Sequence, residues 1–210
     1  MTHSLHRRGS VESLKGDYVM ITRTTKANRA AINHLLPEVA KIVFDVGPAN
    51  IGSSGLQTDV PLGLDPEDFT KRIGGVYGFL CTFSSKEKLR EVLKRLKEKD
   101  FGFSITVSGL IDEVIPLAQG LGIKPHTINL SLGILGDTDQ LAEEEVLEFT
   151  TMCGHAMIAA NLVRKGIADV RSGAKSPREA SMMMGRPCVC GIFNLDRSDC
   201  LLIRQAEKLE

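Results

Sequence analysis

Residues 76–107 read VYGFLCTFSSKEKLREVLKRLKEKDFGFSITV, and the order of patterns within this stretch decides the predicted fold. Residues 76–83 are mostly apolar and are followed by two serines, which is typical of a short buried strand. The serines then supply the N-cap of a charged amphipathic helix over 86–99, whose apolar side chains recur on one face. A second strand is predicted over 103–107, so the chain runs from strand to helix to strand.

The same alternation continues on both sides of this stretch. Residues 18–21 predict an earlier strand, and residues 111–121 predict a second helix that ends at Gly122. In residues 126–135 polar and apolar side chains alternate, which predicts a further strand with one face on the core and one toward solvent or a ligand. The polar face of that strand consists of Thr127, Asn129 and Ser131.

These elements predict an α+β fold with a small open sheet and helices on one of its faces. A ferredoxin-like arrangement is preferred over a doubly wound α/β sheet. Residues 1–136 would form this sheet domain, with a basic N-terminal segment. Residues 137–210 would form a helical, cysteine-bearing subdomain that packs on the sheet as a helical hairpin with a cysteine-rich turn.

The cysteine-bearing part is predicted to hold two helices and a short final strand. Apolar residues recur at helical spacing over 143–171, and the second helix runs from Ser176 to about Met184. Cys200 lies in an apolar stretch that predicts a tail strand, and we expect this thiol and Cys81 to be packing residues.

Composition restricts the classes of partner. Lys and Arg together number 26, as do Asp and Glu, so the formal net charge is zero and bulk charge attracts neither nucleic acid nor an anionic membrane. No apolar run reaches the length of a membrane span, and the first residues do not resemble a secretory signal. We therefore expect a cytoplasmic protein with no nucleic-acid or membrane partner, and we leave a small-molecule partner and homo-oligomerisation open.

Two cysteines separated by one residue carry the main functional signal. Pro187 stops the preceding helix, so Cys188 and Cys190 lie in an irregular or extended turn. In an extended segment alternate residues point the same way, so both sulfurs can face one centre. Cys153 and His155 also lie two residues apart, but on a continuous helix their side chains would point about 200° apart. They can share one centre only if the helix is interrupted near Gly154.

With that interruption, three thiolates and one imidazole converge. We predict that Cys153, Cys188 and Cys190 are metal ligands, with His155 as the fourth ligand or a group beside it. Such a set suits zinc or an iron–sulfur cluster, although the spacing matches no standard motif for either. Redox or small-molecule chemistry would then take place against the polar face of the sheet.

Residues 152–159, Met-Cys-Gly-His-Ala-Met-Ile-Ala, support a different hypothesis. This segment resembles the Met-Cys-Gly-His-x-x-Ile segment around a catalytic cysteine in the proline racemase and hydroxyproline epimerase family. The resemblance implies a cofactor-independent enzyme in which Cys153, at the start of a helix, acts as a thiolate acid/base or nucleophile beside His155. A third reading is a non-catalytic module that binds a partner and uses its cysteines for packing.

The N-terminal segment is a second candidate site. His3, His6, Arg7 and Arg8 lie close together in the sequence, and basic groups of this kind can hold a phosphate or a carboxylate. We predict that His6, Arg7 and Arg8, together with Asn129, contact a cofactor or small molecule.

Overall fold

In the computed structural model, which describes residues 6–56 and 65–207, four short strands form one open antiparallel sheet. The strands are β1 (Tyr18–Arg23), β2 (Asn50–Gly52), β3 (Gly78–Phe83) and β4 (Ser104–Ser108). Their order across the sheet is β2-β3-β1-β4, and every neighbouring pair is antiparallel. The protein is therefore α+β, as its sequence predicts.

Helices connect the strands and form most of the C-terminal part. The helices before and between the strands, and directly after β4, are α1 (Val11–Leu14), α2 (Arg29–Ile32), α3 (Leu36–Val46), α4 (Pro66–Ile73), α5 (Lys86–Lys99) and α6 (Ile111–Gly120). The C-terminal helices are α7 (Glu144–Thr150), α8 (Ala160–Arg171), α9 (Pro177–Gly185) and α10 (Leu195–Glu207). No helix within the described residues is both long and apolar enough to cross a bilayer.

The two faces of the sheet bury two separate hydrophobic cores. Because successive strand residues point to opposite faces, Tyr18 and Met20 of β1 enter one core while Val19 and Ile21 enter the other. The first core is closed mainly by helices α3, α4 and α5, and the second by helices α7 to α10. The C-terminal helices therefore cover the face of the sheet that the first helices leave open.

The helix and strands predicted from residues 76–107 are present. The Ser85 hydroxyl accepts a hydrogen bond from the Lys88 amide at 3.2 Å, which caps α5 at its predicted start. Helix α6 is followed by Gly122, whose φ of 66° reverses the chain there.

The strand predicted over 126–135 is wrong. No strand is assigned to these residues, and apolar and polar side chains are both exposed. Alternating polar and apolar residues indicate that a segment could form a strand. A strand forms only where a neighbouring strand supplies hydrogen bonds and where its apolar side chains can pack against a core. In this chain the segment lies along the surface beside β4 and α6.

Two further predictions in the C-terminal part are corrected. The helix predicted over 143–171 is interrupted, because α7 ends at Thr150 and α8 begins only at Ala160. The predicted tail strand is instead α10, in which Cys200 is exposed rather than packed. Its apolar residues recur at helical spacing, and Leu201 and Leu202 enter the second core. Cys81, in contrast, is buried within β3 as expected.

Gly191 places the turn that follows α9 directly against the sheet. Its φ is 71°, and a Cβ added to it would lie 2.3 Å from the carbonyl carbon of Ile51 and 2.4 Å from the amide nitrogen of Gly52. A side chain at this position would therefore push the turn away from β2.

We expect Gly191→Ala to lower the free energy of unfolding by about 3 kcal/mol or more, because it adds a backbone clash to the cost of a left-handed conformation. Gly173→Ala is the matched control: its φ is 72°, but an added Cβ would meet no atom within 4 Å. It should cost only about 1 kcal/mol. Urea unfolding of both variants tests this, and equal losses would show that the contact with β2 is unimportant.

Candidate metal centre

The chain between α7 and α8 is interrupted in the segment that holds Cys153 and His155. Residues 151–159 form a series of turns, in which the Ala156 amide donates to the Cys153 carbonyl at 3.1 Å. Ala156 itself has a φ of 53°, a left-handed conformation that is costly for a residue with a Cβ. The sequence made convergence of Cys153 and His155 conditional on a break near Gly154, and the break is present.

The Cys-x-Cys segment forms a tight turn after α9. The Cys188 amide donates to the Gly185 carbonyl at 2.9 Å, and the Gly191 amide donates to the Cys188 carbonyl at 3.0 Å. The second bond closes a turn around Cys190. As a result both thiols point inward, and Val189 between them is partly exposed.

The predicted ligands are close to one another in pairs, but within the described residues they do not form a group that could hold a metal ion. The Sγ atoms of Cys188 and Cys190 are 3.8 Å apart, and Cys190 Sγ is 3.6 Å from His155 Nδ1. Cys153 and Cys188 lie near enough for each to shift the pKa of the other thiol. All three cysteines are buried, at 2% exposure or less, whereas His155 lies at the surface. The centre is thus a buried thiol cluster with an imidazole on its solvent side.

Burial and mutual contact control the protonation of these thiols. The hydrogen bond with Cys188, followed by burial, raises the pKa of Cys153 well above its usual range. The hydrogen bond with Cys153 lowers the pKa of Cys188, but contact with Cys190 and burial outweigh it and raise this pKa to about 11. The hydrogen bond from Cys188 lowers the pKa of Cys190. Cys153 therefore does not have the lowered pKa of a thiolate acid/base.

Backbone amides near the sulfurs favour the charged form of each thiol. The amides of His155 and Met157 act to lower the pKa of Cys153, and the amide of Ile192 acts to lower the pKa of Cys188 and of Cys190. N–H donors around sulfur stabilise the charged thiolate and are a known means of tuning metal–thiolate sites. The backbone of both turns is thus arranged to accept negative charge on the sulfurs.

Arg7 joins the two cysteine-bearing turns. Its guanidinium donates to the carbonyl of Met152, which precedes Cys153, at 3.1 Å, and to the carbonyl of Ile192 at 2.5 Å. The same group contacts both carboxylate oxygens of Asp17, at 2.5 and 2.6 Å. Sequence reasoning missed this role because the two carbonyls lie 145 and 185 residues away along the chain, so no local pattern reports them.

Asp17 is the centre of a wider buried network. Its carboxylate also accepts from Arg197 Nη1 at 2.7 Å and from Asn194 Nδ2 at 3.0 Å. The carbonyl of Phe193, which precedes Asn194, accepts a hydrogen bond from Asn50 Nδ2 at 2.9 Å. The chain directly after the Cys-x-Cys turn is therefore held by side chains from β2 and from the N-terminal segment, and Arg197 of α10 holds Asp17 in turn.

Of the residues predicted to hold a cofactor, Arg7 and Asn129 line one groove beside β4 and α6. Arg8 pairs with Glu144 at the start of α7, and the Nδ1 atom of the exposed His6 lies 3.1 Å from Ser131 Oγ. Asn129 is exposed on the segment beside β4. His3 lies outside the described residues. The cofactor-binding role stays a prediction for His6, Arg7, Arg8 and Asn129. The guanidinium of Arg7 is already bonded to Asp17 and to the carbonyls of Met152 and Ile192.

The resemblance to racemases is not matched by the local geometry. In that family the thiol lies at a helix start, whereas here α8 begins at Ala160 and Cys153 is buried in the turns before it. No family model matches the chain, and no curated protein or solved structure is significantly similar to it. Its function is therefore inferred from the centre itself.

We expect Arg7→Met to lower the free energy of unfolding by about 3–5 kcal/mol, because it leaves the Asp17 carboxylate buried beside one cation instead of two and frees both turns. Arg8→Met is the control. Its pair with Glu144 has side-chain exposures of 37% and 56%, against 6% and 0% for Arg7 and Asp17. An exposed pair contributes less than about 1 kcal/mol. Similar losses in thermal or urea unfolding would refute the structural role of Arg7.

Proposed function

We propose that the protein binds one zinc ion through Cys153, His155, Cys188 and Cys190. The observation that carries this proposal is a pair of distances. With Zn–S bonds of about 2.3 Å and Zn–N bonds of about 2.1 Å, tetrahedral ligands lie about 3.8 Å apart for two sulfurs and about 3.6 Å apart for sulfur and nitrogen. The measured separations are 3.8 Å for Cys188 and Cys190 and 3.6 Å for Cys190 and His155.

The ligands would complete their arrangement on binding. Among residues 6–56 and 65–207, no group of three or more histidine, cysteine or acidic side chains is placed so that it could hold a metal ion. Two pairs have ligand spacing, Cys188 with Cys190 and Cys190 with His155, and the proposal requires Cys153 to join them when the ion binds. Protein ligands commonly close around an ion in this way, since metal binding is coupled to folding and to loss of the thiol protons.

A single ion agrees better with the distances than a cubane cluster does. In a [4Fe–4S] cluster each thiolate binds a different iron atom, so the sulfurs are farther apart than two ligands of one ion. Cys188 and Cys190 have the spacing of two ligands on one ion. An iron–sulfur cluster is the alternative that metal analysis must separate from zinc.

The donor set suggests a structural rather than a catalytic role. Three sulfurs and one nitrogen fill a tetrahedral shell, which leaves no position for water or substrate. The ion would supply the positive charge that lets three buried thiols exist as thiolates. Through these ligands the segment between α7 and α8 would be joined to the turn between α9 and α10, as the predicted cysteine-rich hairpin requires.

The connections and order of the strands support a ferredoxin-like arrangement for the sheet. The connections β1-α3-β2-β3-α5-β4, with order β4-β1-β3-β2, are those expected of a ferredoxin-like sheet. The metal-bound helices would then cover the face that such a sheet leaves open. Free thiols at all five cysteines agree with a reducing, cytoplasmic environment.

Metal analysis of protein purified without oxygen tests the proposal. We expect about one zinc per chain, with no visible colour, and loss of this zinc in Cys188→Ser and in Cys190→Ser because each removes a thiolate ligand. Cys200→Ser is the matched control, since Cys200 is exposed on α10 and outside the centre. It should keep its zinc.

Each other outcome contradicts the zinc proposal in its own way. A brown protein with iron and acid-labile sulfide would indicate a cluster. A metal-free protein in which Cys153 alone reacts rapidly with iodoacetamide would support the acid/base thiol. Slow alkylation of every buried cysteine without metal would leave a packing role.

A further inference from the structure

A ten-residue exposed segment after α6 carries five large apolar side chains that the chain leaves uncovered. We call residues 126–135 the arm. Ile128, Leu130, Leu132 and Leu135 are 54%, 69%, 90% and 82% exposed, and Ile134 is 37% exposed. Together these side chains expose on the order of 600 Å², which is at the upper limit of a single apolar patch on a monomer.

The composition of the arm is that of an interface rather than a solvated loop. Its sequence, HTINLSLGIL, contains no Asp, Glu, Lys or Arg. The cores of protein interfaces are depleted in charged residues in the same way, because burying an unpaired charge is costly. The alternation of Ile and Leu with Thr, Asn and Ser also suits an extended segment that places one side against a surface.

A groove lies next to the arm. It has a volume of about 660 Å³, is bounded by α5, β4, α6 and the arm itself, and reaches Arg7 and Asp17. Its apolar lining includes Ile105 and Val107 of β4 and Val114 and Ala118 of α6. Ile128 and Leu130 of the same chain's arm line the groove but stay 54% and 69% exposed, so they do not fill it.

We propose that the arm and the groove form the interface of a homodimer, in which the arm of each chain lies on the groove of a second copy. A second copy is the favoured occupant because one chain carries both complementary surfaces. A two-fold axis then covers two arms and two grooves with a single type of contact.

The area agrees with this assignment. Each docked arm would cover its own 600 Å² or so and a smaller area of the groove, part of which the resident arm lines, so two dockings bury on the order of 1,500–2,000 Å². Stable specific dimers bury about 1,200–2,000 Å² in total or more. The arm precedes α7 in the sequence, whereas the cysteine turns follow it. The arm contains none of the proposed metal ligands, so the dimer proposal does not depend on metal binding.

Sedimentation equilibrium of the full chain tests the dimer. We expect the unaltered protein to be dimeric and the double variant Leu130→Asp, Leu132→Asp to dissociate at least about tenfold more readily, because it places two carboxylates in an apolar interface. Both positions are exposed in the single chain, so circular dichroism should show an unchanged fold. Val11→Asp is the control: Val11 is 63% exposed but lies in α1, away from the arm. It should dimerise like the unaltered protein.

A cross-linking experiment tests which surfaces meet. One chain carries Thr127→Cys in the arm and another carries Ser104→Cys in β4, both with Cys200→Ser to remove the exposed native thiol. After mixing and mild oxidation, we expect a disulfide-linked dimer that contains one chain of each kind.

Several results would overturn the proposal. A protein that is monomeric at every concentration would do so, as would a dimer that the arm substitutions leave unaffected. A dimer without the mixed disulfide would place the interface elsewhere. Binding of a small apolar molecule in the groove of a strictly monomeric protein would assign the groove to a ligand instead.

Discussion

The buried ion pair between Arg7 and Asp17 is the interaction on which the arrangement of the candidate metal centre depends. Arg7 touches the backbone on the N-terminal side of Cys153 and on the C-terminal side of Cys190 at the same time. Desolvating a guanidinium is expensive, and here Asp17 and two carbonyls offset that cost. The two cysteine turns, which belong to different helix connections, are therefore set relative to one another by a residue outside both.

This arrangement makes use of both faces of the sheet. Its first face carries an ordinary core with α3, α4 and α5, while the second receives the C-terminal helices and, with them, the thiols. Cys153, Cys188 and Cys190 are thus members of a hydrophobic core as well as neighbours of each other. A buried cluster of this kind keeps thiols protonated, and a bound cation is the group that would stabilise them as thiolates. The left-handed Ala156 supports the same view, because strained residues are retained mainly where the local geometry is needed.

Much of the fold could be predicted from local patterns. The helix over 86–99 and its flanking strands follow from short-range periodicity and capping, and they are present with small shifts at their ends. The Cys-x-Cys turn could also be predicted locally, because Pro187 and Gly191 both indicate a turn at this position. Geometry alone made the meeting of Cys153 and His155 conditional on a helix break, which the structure contains.

The rest depended on contacts that local patterns do not report. Arg7 was grouped with His6 and Arg8 because they are neighbours in sequence, whereas its partners are distant in the chain. The final helix was mistaken for a strand because a short apolar run fits either element until its partners are known. The arm has the alternation of a strand, but a strand also needs a neighbouring segment, which a second copy would provide.

The proposed site requires four side chains to bind one zinc ion. X-ray absorption at the zinc edge measures the number and type of atoms bound to the ion. We expect a first shell of three sulfur atoms at about 2.3 Å and one nitrogen at about 2.0–2.1 Å. The Cys188→Ser variant should lose this signal, while Cys200→Ser should retain it. A shell made only of nitrogen and oxygen atoms, or a protein that binds no zinc, would contradict the account.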